Sequence, residues 1–228
     1  MSAQMPLALR WPAHQCFQRF EAGANAATLA LVEALAERRG DATLFLAGPS
    51  GSGRTHLLVA ACAAAGARGD RAQYLDLARQ GGAAIRSFHG SDLLALDNLG
   101  AIAGDGEAEH ALFDLHNRAR ADGARLLAAA DAPPARLGIG LPDLLSRLSA
   151  FTQAALQPLD EARRREVLRS EAERRGIGLD DAVVDWLFAH HARDLGSLMR
   201  LLERIDQAAL AARRRVTVPF LRDLLVEG

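Results

Sequence analysis

Gly48-Pro49-Ser50-Gly51-Ser52-Gly53-Arg54-Thr55 has the spacing G-x-x-x-x-G-K-[ST], with Arg54 where lysine belongs. Glycines at these positions let backbone N–H groups converge on phosphate oxygens, and a helix beginning there adds its positive end. The flanks suit that chemistry: an apolar run, residues 43–47, precedes the loop, and a helical stretch from Thr55 to about Ala65 follows. Thr55 can place its hydroxyl on Mg²⁺. Leu93-Leu94-Ala95-Leu96-Asp97-Asn98 supplies a second element, an apolar strand whose terminal carboxylate can approach the same ion. In hydrolytic loops of this kind another acid follows and orients the attacking water. Asn98 stands there instead and cannot accept a proton at neutral pH. Arg54 departs too: its planar fork meets phosphate differently from the compact ammonium of lysine. Together the two predict very slow ATP turnover by the isolated protein. All 27 basic residues are arginine, so compositional drift competes with functional tuning as the origin of Arg54.

Those side chains need a scaffold. The chain has 228 residues, half of them apolar and 24% charged, with few aromatics. That excludes collagen, a disordered tail and a disulfide scaffold, and no apolar run is long enough to span a membrane. A net charge of −1 offers no bulk attraction for nucleic acid. Two cysteines and an N-terminus without export-signal design predict a cytoplasmic protein with reduced thiols. Cys16 and Cys62, each among apolar neighbours, are expected to be inert core. Short strands at 43–47, 73–76, 93–97, 126–130 and 153–157 alternate with helices at 25–39, 55–65 and 107–121, predicting an α/β fold with a doubly wound, parallel five-stranded sheet. After Pro158 only helices are expected, near 160–175, 180–191, 193–211 and 217–226. The predicted organisation is a tail (1–10), an α/β domain (11–158) and a small all-helical domain (159–228).

With these elements in order, the sequence resembles the AAA+ modules of the DnaA family, and within them the Hda group of regulatory inactivators. The resemblance is carried by residues 17–25 (FQRFEAGAN), Gly53-Arg54-Thr55-His56-Leu57-Leu58, Leu96-Asp97-Asn98, residues 113–118 (FDLHNR), Asp131-Ala132-Pro133-Pro134, residues 141–148 (LPDLLSRL) and Thr217-Val218-Pro219-Phe220. The Hda pattern itself carries arginine in the loop and asparagine after the acidic Asp. The resemblance implies a nucleotide site, for ADP or possibly ATP or another nucleotide with Mg²⁺. Phe17 through Asn25 would lie on the adenine side, the loop from Gly48 to Thr55 with His56 on the phosphates, and Thr55 and Asp97 on the metal. Asp131 would sense the phosphate end and Arg193 would reach back from the helical lid. Arg147 matches an arginine finger, acting in trans on nucleotide held by a neighbouring subunit. Implied partners are DnaA, the sliding clamp, DNA through the clamp, and further copies of the chain. The chain ends at Gly228, where the initiator continues into a helix-turn-helix domain, so sequence-specific DNA binding is expected to be missing.

Gln4-x-x-Leu7-x-Leu9 resembles the peptide with which bacterial proteins enter the clamp's apolar pocket. The seven histidines show no metal-ligand spacing, and His190 and His191 are expected to diverge on a helix. The triplets at 163–165 and 213–215 are expected to be solvated faces. Three functions compete: a regulatory inactivator acting on DnaA, an ATP-driven loader or remodeller, and a nucleotide-binding adaptor with an inert tail. Asn98 and Arg54 speak against the second.

Overall fold

The computed structural model describes residues 11–12, 14–191, 194–212 and 214–226. The chain divides into two compact units between Gln157 and Pro158.

In the first unit five parallel strands form one sheet in the order β2-β3-β4-β1-β5. They are β1 (Thr43–Ala47), β2 (Ala72–Asp76), β3 (Leu93–Asp97), β4 (Arg125–Ala130) and β5 (Thr152–Ala155). β3 and β4 are buried at every position, as a sheet covered on both faces requires. The side chains alternate between two cores. Leu44, Leu46, Leu93, Ala95, Leu127 and Ala129 pack with α1 (Ala26–Ala36) and α2 (Arg54–Ala67). Phe45, Leu94, Leu96, Leu126 and Ala128 pack on the other face with α4 (Gly106–Ala121) and α5 (Pro142–Ser149). A one-turn helix, α3 (Leu77–Gln80), too short for a periodic pattern, follows β2; the Asp76 carboxylate caps it by accepting from Ala78 N–H.

β5 stops two residues short of its expected end. Leu156 N–H still donates to Ala47 C=O, but both backbone polar groups of Gln157 turn to the Asn25 amide instead of a strand. Arg125, buried at the start of β4, donates to the carbonyls of Leu35 and Ala36 and pairs with Asp70, closing the C-terminal end of α1.

The second unit contains α6 (Glu161–Arg174), α7 (Asp181–His190), α8 (Leu195–Ala212) and α9 (Val218–Val226) around Leu168, Val184, Leu187, Leu202, Ile205 and Leu221. α8 begins two residues later than expected, with Asp194 accepting from Ser197 N–H at the entry. His190 and His191 do not diverge: both rings pack on Trp186, at 4.6 and 5.6 Å between centroids. Arg165 is not simply solvated, being paired with Glu161 and Asp185 and lying over the Phe188 ring. No helix among the described residues is long and apolar enough to cross a membrane.

Candidate nucleotide-binding site

The loop between β1 and α2 is held open by its glycines. Gly48 N–H donates to Ala130 C=O, and a Cβ there would lie 2.6 Å from the Leu156 carbonyl oxygen and 2.8 Å from Ser52 Oγ. Gly51 and Gly53 have φ of +78° and +95°, conformations costly for residues with a Cβ. Ser52 is buried, and its hydroxyl finds no partner among the described residues. Such an orphan inside a glycine cradle fits a phosphate oxygen. Arg54, the first residue of α2, forms no ion pair or hydrogen bond among the described residues.

Thr55 and Asp97 meet as expected: Thr55 Oγ1 donates to Asp97 Oδ2 at 2.5 Å. Strand parity explains the meeting. Asp97 falls in phase with Leu93 and Ala95, which face α2. Tyr74, in phase with Asp76 on the neighbouring strand, donates its hydroxyl to the same oxygen at 2.9 Å, and Asn98 N–H donates to Oδ1. Burial, then the Asp97 charge and this hydrogen bond, push the Tyr74 phenol well above its ordinary pKa, so it stays a donor. Tyr74 belongs to no phosphate-site motif, and its place two residues before the strand-end Asp76 is the one signal of it in the sequence. Thr55 and Asp97 would hold Mg²⁺, and the loop N–H groups the phosphates. The donor set fits a hard, oxygen-seeking cation. Among the described residues no cluster of three or more His, Cys, Asp or Glu could hold a metal by itself.

Asn98 adopts φ +55°, and its Nδ2 donates to Asp76 Oδ1 at 2.9 Å. The position where a second acid would orient water thus presents an amide already engaged by a carboxylate. Asp131 lies exposed just past β4, its carboxylate beside Gly100.

The expected adenine side is built differently from a row of ligand contacts. Phe17 and Phe20 pack against the α1–α2 core, and Phe20 lies so close to Gly53 that a Cβ there would meet its ring at 2.6 Å. The His56 ring is within 2.9 Å of Cys16 C=O and edge-on to Phe20, fastening residues 16–20 to α2. Asn25 is 4% exposed, with its amide bonded to both Gln157 backbone groups. Cys16 is half-exposed, correcting the expectation of a core thiol. Cys62 is buried, and burial pushes its thiol up to about 12.

Arg147 occupies the last turn of α5, on the sheet face opposite α2. Its guanidinium lies over the Phe113 ring, 5.3 Å from the centroid, and pairs with no carboxylate among the described residues. Gln4, Leu7, Leu9 and Arg193 lie outside the described residues.

Residues 160–225 match the family described as Hda, lid domain. Domain III of DnaA from Thermotoga maritima superposes with a TM-score of 0.75 at 21% identity, over 96% of this chain and 98% of that one. The second unit thus carries an Hda-type lid, and the chain has the fold of domain III of DnaA. AMPPCP-bound DnaA from Aquifex aeolicus matches at a TM-score of 0.65 and 22% identity, over 85% of this chain and 66% of that one. The Thermotoga maritima RuvB branch-migration motor matches at 0.60 and 18%, over 90% and 68%. This chain therefore spans about two thirds of the AMPPCP-bound DnaA chain. At these identities the solved structures establish the fold, and the family match concerns residues 160–225.

Proposed function

We propose that this protein is a negative regulator of replication initiation that activates ATP hydrolysis on DnaA rather than turning over ATP itself. In this reading it holds ADP with Mg²⁺ in the Gly48–Thr55 cradle, Thr55 and Asp97 facing the metal. Gln4, Leu7 and Leu9 dock it on the DNA-loaded sliding clamp, and Arg147 enters the nucleotide site of a neighbouring DnaA. The observation that carries the reading is the contrast between two sites in one chain. The protein's own phosphate site has an engaged amide, Asn98, where water would be activated. Arg147 is a cation without a carboxylate partner among the described residues, held only against an aromatic ring. The AMPPCP in the DnaA structures supports nucleotide binding by the same fold.

The chemistry asked of this chain is limited. Loop N–H groups and the α2 N-terminus hold its own nucleotide and set the conformation it presents. Arg147 places a forked positive charge where negative charge develops on the transferred phosphoryl group of the partner's ATP, an effect of about 10³–10⁵ in rate for such arginines. The test follows hydrolysis of labelled ATP on DnaA while this protein, clamp and DNA are each withheld. Conversion should require all three, and the protein alone should turn over ATP very slowly. Robust turnover by the purified protein without DnaA would overturn the reading.

A further inference from the structure

Glu109 is an acid on α4 that is 1% exposed and has no arginine partner among the described residues. Its carboxylate is spent on backbone. Oε1 accepts from Gly104 N–H at 2.7 Å and Gly140 N–H at 3.0 Å, and Oε2 accepts from Leu141 N–H at 2.7 Å. Gly104 lies in the turn just before α4, whereas Gly140 and Leu141 lead into α5 from 31 and 32 residues away. Leu141 is the N-cap of α5 and offers no capping side chain. In a capping box an acid within the same helix would take the N-cap N–H; here α4 supplies it.

The same side of α4 holds the other end of α5. Phe113 and His116 follow Glu109 at spacings of four and seven residues, close to one and two helical turns. Phe113 carries the Arg147 guanidinium, and His116 stacks on Phe151, just beyond α5, at 5.8 Å. Burial pushes the Glu109 carboxyl up, but the N–H groups of Gly140, Gly104 and Leu141 together outweigh it, so the acid stays ionised. Arg147 lies six residues beyond Leu141, about 9 Å along the helix. A tilt of about 10° at the entry would move it by roughly 1.6 Å over that length.

We propose that Glu109 is a positioning residue for Arg147, fixing the entry of α5 so that the arginine meets the partner's nucleotide in reactive register. This rests on the reading of Arg147 as an arginine supplied in trans.

The test uses Glu109→Gln, which keeps shape but turns an amide N–H₂ toward a backbone donor, and Glu109→Asp, which keeps charge but shortens the reach. Each is assayed as full-length protein with clamp, DNA and ATP-loaded DnaA, beside wild type and Arg147→Ala. Maximal stimulation should fall on the order of ten- to a hundredfold, the cost of a displacement of about 1 Å at a reacting centre. Half-saturating concentration and ADP affinity should stay unchanged, and amide exchange should quicken over residues 138–149 but not in the phosphate loop. Undiminished stimulation in a folded variant overturns the proposal. So does a parallel loss of ADP affinity, which marks a general structural role. If Glu109→Gln fails to fold, Glu109→Asp decides by the same criteria. Failure of the underlying reading has its own signature: wild type does not stimulate, or Arg147→Ala stimulates as well as wild type.

Discussion

Asn25→Ala separates a ligand contact from a structural clamp at one residue. Nδ2 donates to Gln157 C=O and Oδ1 accepts from Gln157 N–H, both at 2.8 Å, across 132 residues of sequence. Alanine removes both bonds and leaves two backbone groups beside a buried position. Each bond is worth about 1 kcal/mol net, and an unsatisfied buried group costs about 1–3 kcal/mol, less where water can enter. The expected loss is about 2–4 kcal/mol. At about 2–4 °C per kcal/mol for a chain of this size, the first unit should melt about 5–15 °C lower. Thermal melting by circular dichroism, paired with titration of a fluorescent ADP analogue at a temperature where the variant is folded, gives both readouts. The clamp role predicts the melting shift with nucleotide affinity changed less than about threefold, under about 0.7 kcal/mol. An unshifted melting curve with a large loss of affinity would refute it and return Asn25 to the adenine side.

Three further outcomes are expected. Asn98→Asp sets a second carboxylate against Asp76 in place of a hydrogen bond, so it should destabilise by about 1–3 kcal/mol at pH 7, with relief on acidification as the raised carboxyl takes up its proton. Steady-state ATPase of that variant should rise only slightly, since Arg54 remains. Burial, then the Arg147 charge, hold the His116 pKa below 6.5, with the side chain of Asn117, as an acceptor, pulling the other way. The folded state therefore favours the neutral ring, and the stability it contributes is lost as pH falls below 6.5. Arg147→Ala should raise the His116 pKa in an NMR titration, and an unmoved pKa would contradict the placement of Arg147. Replacing Gln4, Leu7 and Leu9 with alanine should abolish capture on immobilised clamp while ADP affinity is unchanged; undiminished capture would remove the docking role.

The middle of the sheet was legible because β1, β3 and β4 are short apolar runs closed by turn residues, and the phosphate loop because glycines must stand where backbone crowds. Gly48 shows the reason: the Leu156 carbonyl and Ser52 hydroxyl occupy the space of a Cβ. The Thr55–Asp97 contact followed from placing one residue at a helix start and the other at a strand end. Contacts between a helix and a remote loop left no local pattern. Glu109 reads as one more acid on an amphipathic helix, and only the fold brings Gly140 and Leu141 to it. Asn25 read as a ligand residue because the resemblance placed the whole 17–25 segment beside adenine, whereas its amide turns to the chain at Gln157. Helix geometry alone separates His190 and His191, but His191 ends α7 in an extended conformation, which lets both rings reach Trp186.

The central claim is that Arg147 acts on nucleotide bound to another protein. Single-turnover hydrolysis of labelled ATP preloaded on DnaA, with clamp and DNA present, tests it most directly by comparing wild type with Arg147→Ala. The substitution removes a contact with Phe113 worth about 0.5–1 kcal/mol at a half-exposed site, so the variant should fold, bind ADP and bind clamp. Its stimulation of hydrolysis should nevertheless fall on the order of a hundredfold or more. Arg147→Lys should not restore it, because a point charge lacks the guanidinium's fork. Full stimulation by Arg147→Ala would contradict the claim and direct attention to Arg118 and Arg136. Loss of ADP binding in the same variant would contradict it differently, by showing that Arg147 serves the nucleotide of its own chain.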